Sequence, residues 1–168
     1  MWKRWISCLI MFLSIGFFIK TGNAAMPTVS IPNVEVSRNA SYIQIPINID
    51  NAEGVAGFQF TVTFDQTVLQ PIGAVAGTLT NGWAITPNPN VPGEIQIGGY
   101  EPTLTGLGAV SGSLCLMNFN VLGNPGSTTN LTLEYVLISD SSSVGIDRIL
   151  SNGSFKIEGY SISDKVTL

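Results

Sequence analysis

The chain has 168 residues, of which 45% are hydrophobic and only 11% are charged, whereas about 25% are charged in an ordinary globular chain. This length suits a single domain. The absence of histidine excludes Ser-His-Asp and Cys-His catalysis and nearly all zinc sites. A formal net charge of −4 argues against a nucleic-acid partner, because phosphate binding requires clustered lysine and arginine.

The N-terminal segment is typical of a secretory signal peptide. Lys3 and Arg4 form a positive start, an apolar run extends from Trp5 to Ile19, and small residues follow at positions 22–25. The run is shorter than the roughly 20 residues that cross a membrane. We expect residues 1–25 to be removed by cleavage after residue 24 or 25, leaving no membrane span; a retained anchor is the alternative. The predicted location is extracellular or at the cell surface, with the periplasm as a further option.

Cleavage would leave Cys115 as the only cysteine, so stability must come from a packed core rather than from intramolecular disulfides. Cys115 lies in the apolar stretch Leu114–Met117, which predicts a buried, unreactive thiol. An intermolecular bridge is the alternative. The basic residues that would remain, against 11 acids, are Arg38, Arg148, Lys156 and Lys165.

Alternating apolar and polar residues predict strands along the rest of the chain. The first strand, 42–49, places isoleucines on one face, and Pro46 marks it as an edge strand or one with a local break. The clearest strand, 55–64, directs Gly57, Gln59, Thr61 and Thr63 outward. Its inward residues are Phe58, Phe60, Val62 and Phe64.

Turn-forming residues separate the next strands. A strand over 68–75 is interrupted by Pro71 and Gly73, and Asn81-Gly82 predicts a hairpin turn before a short strand at 83–85. The prolines at 87, 89 and 92 predict a loop, followed by a strand over 94–100 with Ile95 and Ile97 inward.

Three further strands are predicted over 113–122, 129–136 and 154–160. In the first, Leu114 and Leu116 are expected to be buried, and a change of parity before Phe119 and Val121 indicates a bulge. In the second, Tyr135 shares a face with Leu131 and Leu133 and is expected in the core. Eight or nine such strands without helical periodicity predict a β-sandwich or a small barrel.

Three segments resemble the cohesin domain family. The segment Gly54–Asp65 with Val68-Leu69 is similar to the family's signature strand, and Ile45–Ile47 is similar to its V-P-V strand. The segment from Gly112 to Val121 is similar to its G-x-L…F-x-V strand. The resemblance covers about residues 28–160.

The resemblance implies an all-β, nine-stranded jelly-roll sandwich over residues 26–162, followed by a tail at 163–168. Cohesins are non-catalytic receptors that bind dockerin domains and so assemble polysaccharide-degrading enzymes. The implied partner is a dockerin-bearing protein, with calcium on the partner. No cofactor or metal is expected on this chain.

The resemblance also directs attention to the outward face of the signature strand. The best-known cohesins offer asparagine and aspartate there, where this chain has Gly57 and Gln59, so it implies an unusual dockerin. The partner-binding residues expected on the same sheet and its adjoining loop are Gly57, Gln59, Thr61, Gln96, Tyr100, Glu101 and Thr103.

Two other functions are alternatives for this sequence. A carbohydrate-binding module would need exposed aromatic rings, for which Trp83 and Tyr100 are the candidates. A glycosidase would need two carboxylates about 5–10 Å apart; Glu94, Glu101 and Asp65 could be nominated, but no sequence feature pairs them. We therefore expect no enzyme.

Overall fold

A computed structural model describes residues 26–160; the predicted signal peptide at 1–25 and the tail at 163–168 lie outside the described residues. Within that range the chain forms eleven β-strands and no helix. The strands are β1 (Thr28–Ser30), β2 (Val34–Val36), β3 (Tyr42–Ile49), β4 (Gly57–Thr63), β5 (Leu69–Ala76), β6 (Ala84–Asn88), β7 (Glu94–Tyr100), β8 (Gly112–Val121), β9 (Thr128–Ser139), β10 (Ile149–Ser151) and β11 (Gly153–Ile157).

The strands form two sheets that pack as a sandwich. The five-stranded sheet has the order β10-β1-β3-β8-β5, and the six-stranded sheet has the order β2-β11-β9-β4-β7-β6. The predicted all-β sandwich is confirmed, but the predicted count of nine strands is wrong for the described residues. The strands β1, β2 and β10 were missed because each has three residues, too few to show an alternating pattern.

The core lies between the two sheets. The four inward residues predicted for the signature strand are buried: Phe58, Phe60, Val62 and Phe64. The rings of Phe58 and Phe60 stack with centroids 4.7 Å apart, and Phe64 meets Phe119 of the opposite sheet edge-on at 5.1 Å. Burial of each such side chain stabilises the fold by about 1.5–3 kcal/mol, so the alternation along β4 holds the two sheets together.

Pro46 and Pro87 lie where their strands have a neighbouring strand on one side only. β3 lies inside its sheet, but β1 pairs only with Asn48 and Ile49, so Pro46 has a neighbouring strand on one side only. Proline donates no hydrogen bond, and this placement costs no ladder bond on the open side. Pro87, which was predicted to lie in a loop, is in β6 instead. The strand β6 is the edge of the six-stranded sheet, where proline is tolerated.

Two β-bulges change which of the predicted residues face the core. The β3–β8 register shifts opposite Ile47 and Asn48, so that Leu114 is the extra residue. The bulge therefore lies earlier than predicted, and Leu116 faces outward while Cys115 and Met117 are buried. A second shift, between β4 and β9, makes Glu134 the extra residue.

The second bulge reverses the prediction for Tyr135. Leu131 and Leu133 are buried before the extra residue, and Val136 and Ile138 are buried after it. Tyr135 therefore leaves the core face and is 50% exposed. The prediction failed because strict alternation was extended across a position where the strand inserts a residue.

Asn81-Gly82 does not close a hairpin, because β5 and β6 belong to different sheets. The segment crosses from one sheet to the other and is fastened by the buried side chain of Thr80. The N–H of Gly77 donates to Thr80 Oγ1 at 2.9 Å, and the Thr80 hydroxyl donates to the carbonyl of Leu114 at 2.7 Å.

Cys115 is fully buried, as predicted. Burial raises the pKa of the Cys115 thiol because the thiolate would lose its hydration, so the side chain behaves as a small apolar group. In the part of the chain from 26 to 160, no helix has the length and hydropathy needed to cross a bilayer.

Two adjacent glycines of β7 give a matched test of the core. A Cβ on Gly99 would lie 2.3 Å from the buried ring of Phe58, whereas a Cβ on Gly98 would meet nothing within 4 Å. We expect Gly99→Ala to lower the free energy of unfolding by about 1–3 kcal/mol through overpacking. Gly98→Ala should change it by less than about 0.5 kcal/mol. Urea unfolding of both variants measures the difference, and equal stabilities would contradict this packing.

Candidate functional site

The outer face of the six-stranded sheet brings together the residues predicted on the signature strand and on β7. Strand pairing aligns outward residues of β9, β4, β7 and β6 in three rows. We call this surface the outer face; its rows are Ser139–Gly57–Tyr100–Ala84, Leu137–Gln59–Gly98–Thr86 and Tyr135–Thr61–Gln96–Asn88.

A shallow depression of about 380 Å³ lies on the part of the outer face formed by β4, β7 and β6. It exists because Gly98 has no side chain, and the space above its backbone is open. The depression is lined by Gln59, Thr86, Gln96 and Tyr100, with Asn88 at its edge. Amide side chains both donate and accept hydrogen bonds, so a ligand seated here meets neutral polar groups and exposed backbone.

Two tyrosines are exposed on the outer face, and one of them, Tyr100, lines the depression. Tyr100 is 55% exposed and Tyr135 is 50% exposed. They lie two strands and two rows apart, which corresponds to about 16 Å from ordinary strand spacing and rise. Tyr135 was not predicted for the site. The available signal was the change of parity from Leu131 and Leu133 to Val136 and Ile138.

The three rows contain no charged side chain. Acids stand beyond the last row, where Gln96 donates to Glu94 at 2.7 Å and Thr63 donates to Glu134 at 3.4 Å. The three rows are therefore neutral, and these hydrogen bonds bring the carboxylates of Glu94 and Glu134 to their border.

Glu101 and Thr103, also predicted for the site, lie in the loop that follows β7. The Glu101 carboxylate accepts hydrogen bonds from the Thr105 hydroxyl at 2.8 Å, the Gly106 N–H at 2.7 Å and the Thr103 hydroxyl at 3.0 Å. These bonds, led by that from Thr105, lower the pKa of Glu101. The loop beside Tyr100 is thus organised around one ionised carboxylate, and Leu104 at its tip has a left-handed backbone with φ of 52°.

Trp83 and Tyr100, the candidates for carbohydrate binding, do not share a surface. The Trp83 ring stacks on the buried ring of Phe58, with centroids 6.1 Å apart. It packs against the core, whereas Tyr100 projects from the outer face. An aromatic platform built from these two rings is therefore not formed.

Two of the nominated carboxylates, those of Glu94 and Glu101, are held apart. Glu94 begins β7 and Glu101 follows its end, a separation of about 23 Å at the usual rise per residue. A glycosidase needs its two carboxylates within about 10 Å. Asp65 instead accepts hydrogen bonds from the hydroxyl and N–H of Thr67. Among residues 26–160, no three acidic, cysteine or histidine side chains are grouped to hold a metal ion.

The chain is thus a two-sheet β-sandwich domain, and its six-stranded sheet presents a neutral face with two exposed tyrosines. The sequence profile of the cohesin domain matches residues 27–157, and the chain belongs to this family. The predicted family resemblance is thereby confirmed. No curated protein matches the chain.

Solved cohesin structures share the fold. The chain is similar to a non-cellulosomal cohesin from Archaeoglobus fulgidus, with 24% identity, a TM-score of 0.68, and coverage of 83% of this chain and 95% of that one. It is also similar to the sixth cohesin of scaffoldin B from Acetivibrio cellulolyticus, solved with a Cel5 dockerin mutant, with 24% identity, a TM-score of 0.68, and coverage of 79% and 99%. A cohesin–dockerin complex from Clostridium thermocellum, Coh-OlpC-Doc435, matches with 15% identity, a TM-score of 0.68, and coverage of 80% and 95%.

The loop organised by Glu101 gives a pH prediction. Because its pKa is lowered in the folded protein, ionised Glu101 stabilises the fold above the ordinary carboxyl pKa, and this contribution is lost as pH falls through the lower folded pKa. We expect Glu101→Gln to lower Tm at pH 7 and to match the parent below the folded pKa. Thermal unfolding at a series of acidic pH values measures the difference in Tm between the parent protein and Glu101→Gln. A difference in Tm that does not change with pH would contradict the stabilising role of ionised Glu101. Glu53→Gln serves as the control.

Proposed function

We propose that this chain is a non-catalytic docking module that binds a dockerin-bearing protein through the outer face. The observation that carries the proposal is the position of the signature strand β4. Its sequence resembles the signature strand of the cohesin family, to which the chain belongs, and its outward residues Gly57, Gln59 and Thr61 lie inside the outer face. Related cohesins have been solved in complex with dockerins.

The chemistry of the outer face suits a protein partner. Tyrosine is enriched at interfaces because its large, rigid ring buries apolar area while the hydroxyl still forms hydrogen bonds. Tyr100 and Tyr135 provide two such rings, and the half-buried Leu137 adds apolar surface in the middle row. The amides of Gln59 and Gln96 provide directional hydrogen bonds around the depression.

The partner that fits this surface is an unusual dockerin. Gly57 offers no side chain, so a partner helix can approach the backbone there, and Gln59 replaces a charged group with a neutral amide. We propose that the dockerin meets the face with neutral polar and apolar groups. Calcium in such a complex belongs to the dockerin.

The N-terminal sequence supports a proposal about location. We propose that the chain is secreted to the cell surface or the medium and acts in polysaccharide degradation. The support is the pattern of residues 1–25 together with the family.

The docking proposal predicts that replacement of Tyr135 weakens partner binding. This residue is exposed because of the bulge at Glu134. We expect Tyr135→Ala and Gln59→Ala each to weaken dockerin binding about tenfold or more, because interface hot spots are enriched in tyrosine and cluster near the centre of an interface, where the Gln59 amide can donate and accept hydrogen bonds. Calorimetric titration with purified dockerins in calcium, starting with those encoded beside this gene, measures the constants. Tyr42→Ala is the control, since Tyr42 is equally exposed, at 48%, on the opposite sheet.

Two outcomes would contradict docking at this face. One is that none of the purified dockerins binds the parent protein. The other is that the outer-face variants bind as tightly as the parent while Tyr42→Ala does not.

The proposed secretion has its own test. Expression of the full chain should release a protein that begins at Ala25 or Met26, because cleavage is expected after residue 24 or 25. N-terminal sequencing of the released protein measures the start. A protein retained in the membrane with Met1 at its N-terminus would contradict a cleaved signal peptide.

A further inference from the structure

The outward surface of the five-stranded sheet has an unusual composition. Its strands β3, β5 and β8 contain no charged residue along their whole lengths. At one end of this surface, where β3 and β5 begin and β8 ends, planar polar side chains from all three strands lie side by side. We call them the amide face: Tyr42, Gln44, Gln70, Asn118 and Asn120.

Strand pairing arranges this surface in rows that run across the strands. Tyr42, Asn120 and Gln70 are aligned in one row, and Gln44 and Asn118 in the next. A third, apolar row follows with Pro46, Leu116 and Val75. A polar strip therefore runs beside an apolar strip.

Hydrogen bonds fix the polar side chains in place. Asn118 Oδ1 accepts from the Tyr42 hydroxyl at 3.1 Å and from Gln44 Nε2 at 3.0 Å. Asn120 Nδ2 donates to Gln70 Oε1 at 3.2 Å. These bonds leave the amide nitrogen of Asn118 and the amide oxygen of Gln44 without a partner among residues 26–160. Groups that are already oriented lose less entropy on binding a ligand.

We propose that the amide face binds a neutral, extended polysaccharide that runs across the strands. A sugar hydroxyl both donates and accepts hydrogen bonds, as an amide does, and the absence of charge matches an uncharged chain. Neighbouring strands are about 4.8 Å apart, close to the advance of one sugar unit along an extended β-linked glycan. Successive units lying along the first row would therefore each meet one polar side chain, that of Tyr42, Asn120 or Gln70.

This inference does not rest on the docking proposal, because it uses the opposite sheet. A module with both properties would hold a dockerin on one face and a polysaccharide on the other. The two can fail separately: variants of the amide face should keep dockerin binding unchanged, and variants of the outer face should keep polysaccharide binding unchanged.

The test is native gel electrophoresis of the folded chain with hydroxyethylcellulose, xylan, glucomannan or mixed-linkage β-glucan in the gel. We expect at least one of these polysaccharides to slow the parent protein. Asn118→Ala and Tyr42→Ala should each weaken that retardation about fivefold or more through lost hydrogen bonds and packing. Tyr135→Ala is the matched control, and the polysaccharide should slow it as much as it slows the parent protein. Thermal unfolding checks that each variant is folded.

Three results would overturn the proposal. The first is that none of the four polysaccharides slows the parent protein. The second is retardation that Asn118→Ala and Tyr42→Ala leave unchanged or that Tyr135→Ala abolishes. The third is dimerisation in sedimentation velocity that Asn118→Ala abolishes while no polysaccharide is bound, which would assign the surface to a second copy of the chain.

Discussion

The side-chain alternation along β4 is the constraint on which both surfaces of the six-stranded sheet depend. Phe58, Phe60 and Val62 are buried against the opposite sheet, and removal of large apolar side chains from water is the main stabilising term of the fold. The same backbone must then direct Gly57 and Gln59 outward. The outer face cannot slip by one residue without exposing the aromatic core.

The sandwich presents two large sheet surfaces that differ in chemistry. The outer face combines neutral amides, an open glycine and two exposed tyrosines, with acids only beyond its rows. The opposite sheet has an uncharged polar strip beside an apolar strip. Recognition on either side would rest on hydrogen bonds, ring contacts and shape, interactions that salt screens far less than it screens surface charges.

The loop after β7 shows how the fold uses one of its few acids. Glu101 accepts three hydrogen bonds from its own loop, so this carboxylate organises the surface next to Tyr100.

The sequence by itself determined the β-sandwich class, the inward set of the signature strand and the family, because strong alternation and ordered motifs are local properties. It could not locate the bulges at Leu114 and Glu134, since an extra residue is tolerated only where the neighbouring strand and the core compensate for it. Nor could it show that Asn81-Gly82 crosses between sheets. Tertiary packing decided that Tyr135 is exposed and that Trp83 is packed on Phe58, because burial depends on residues far away along the chain.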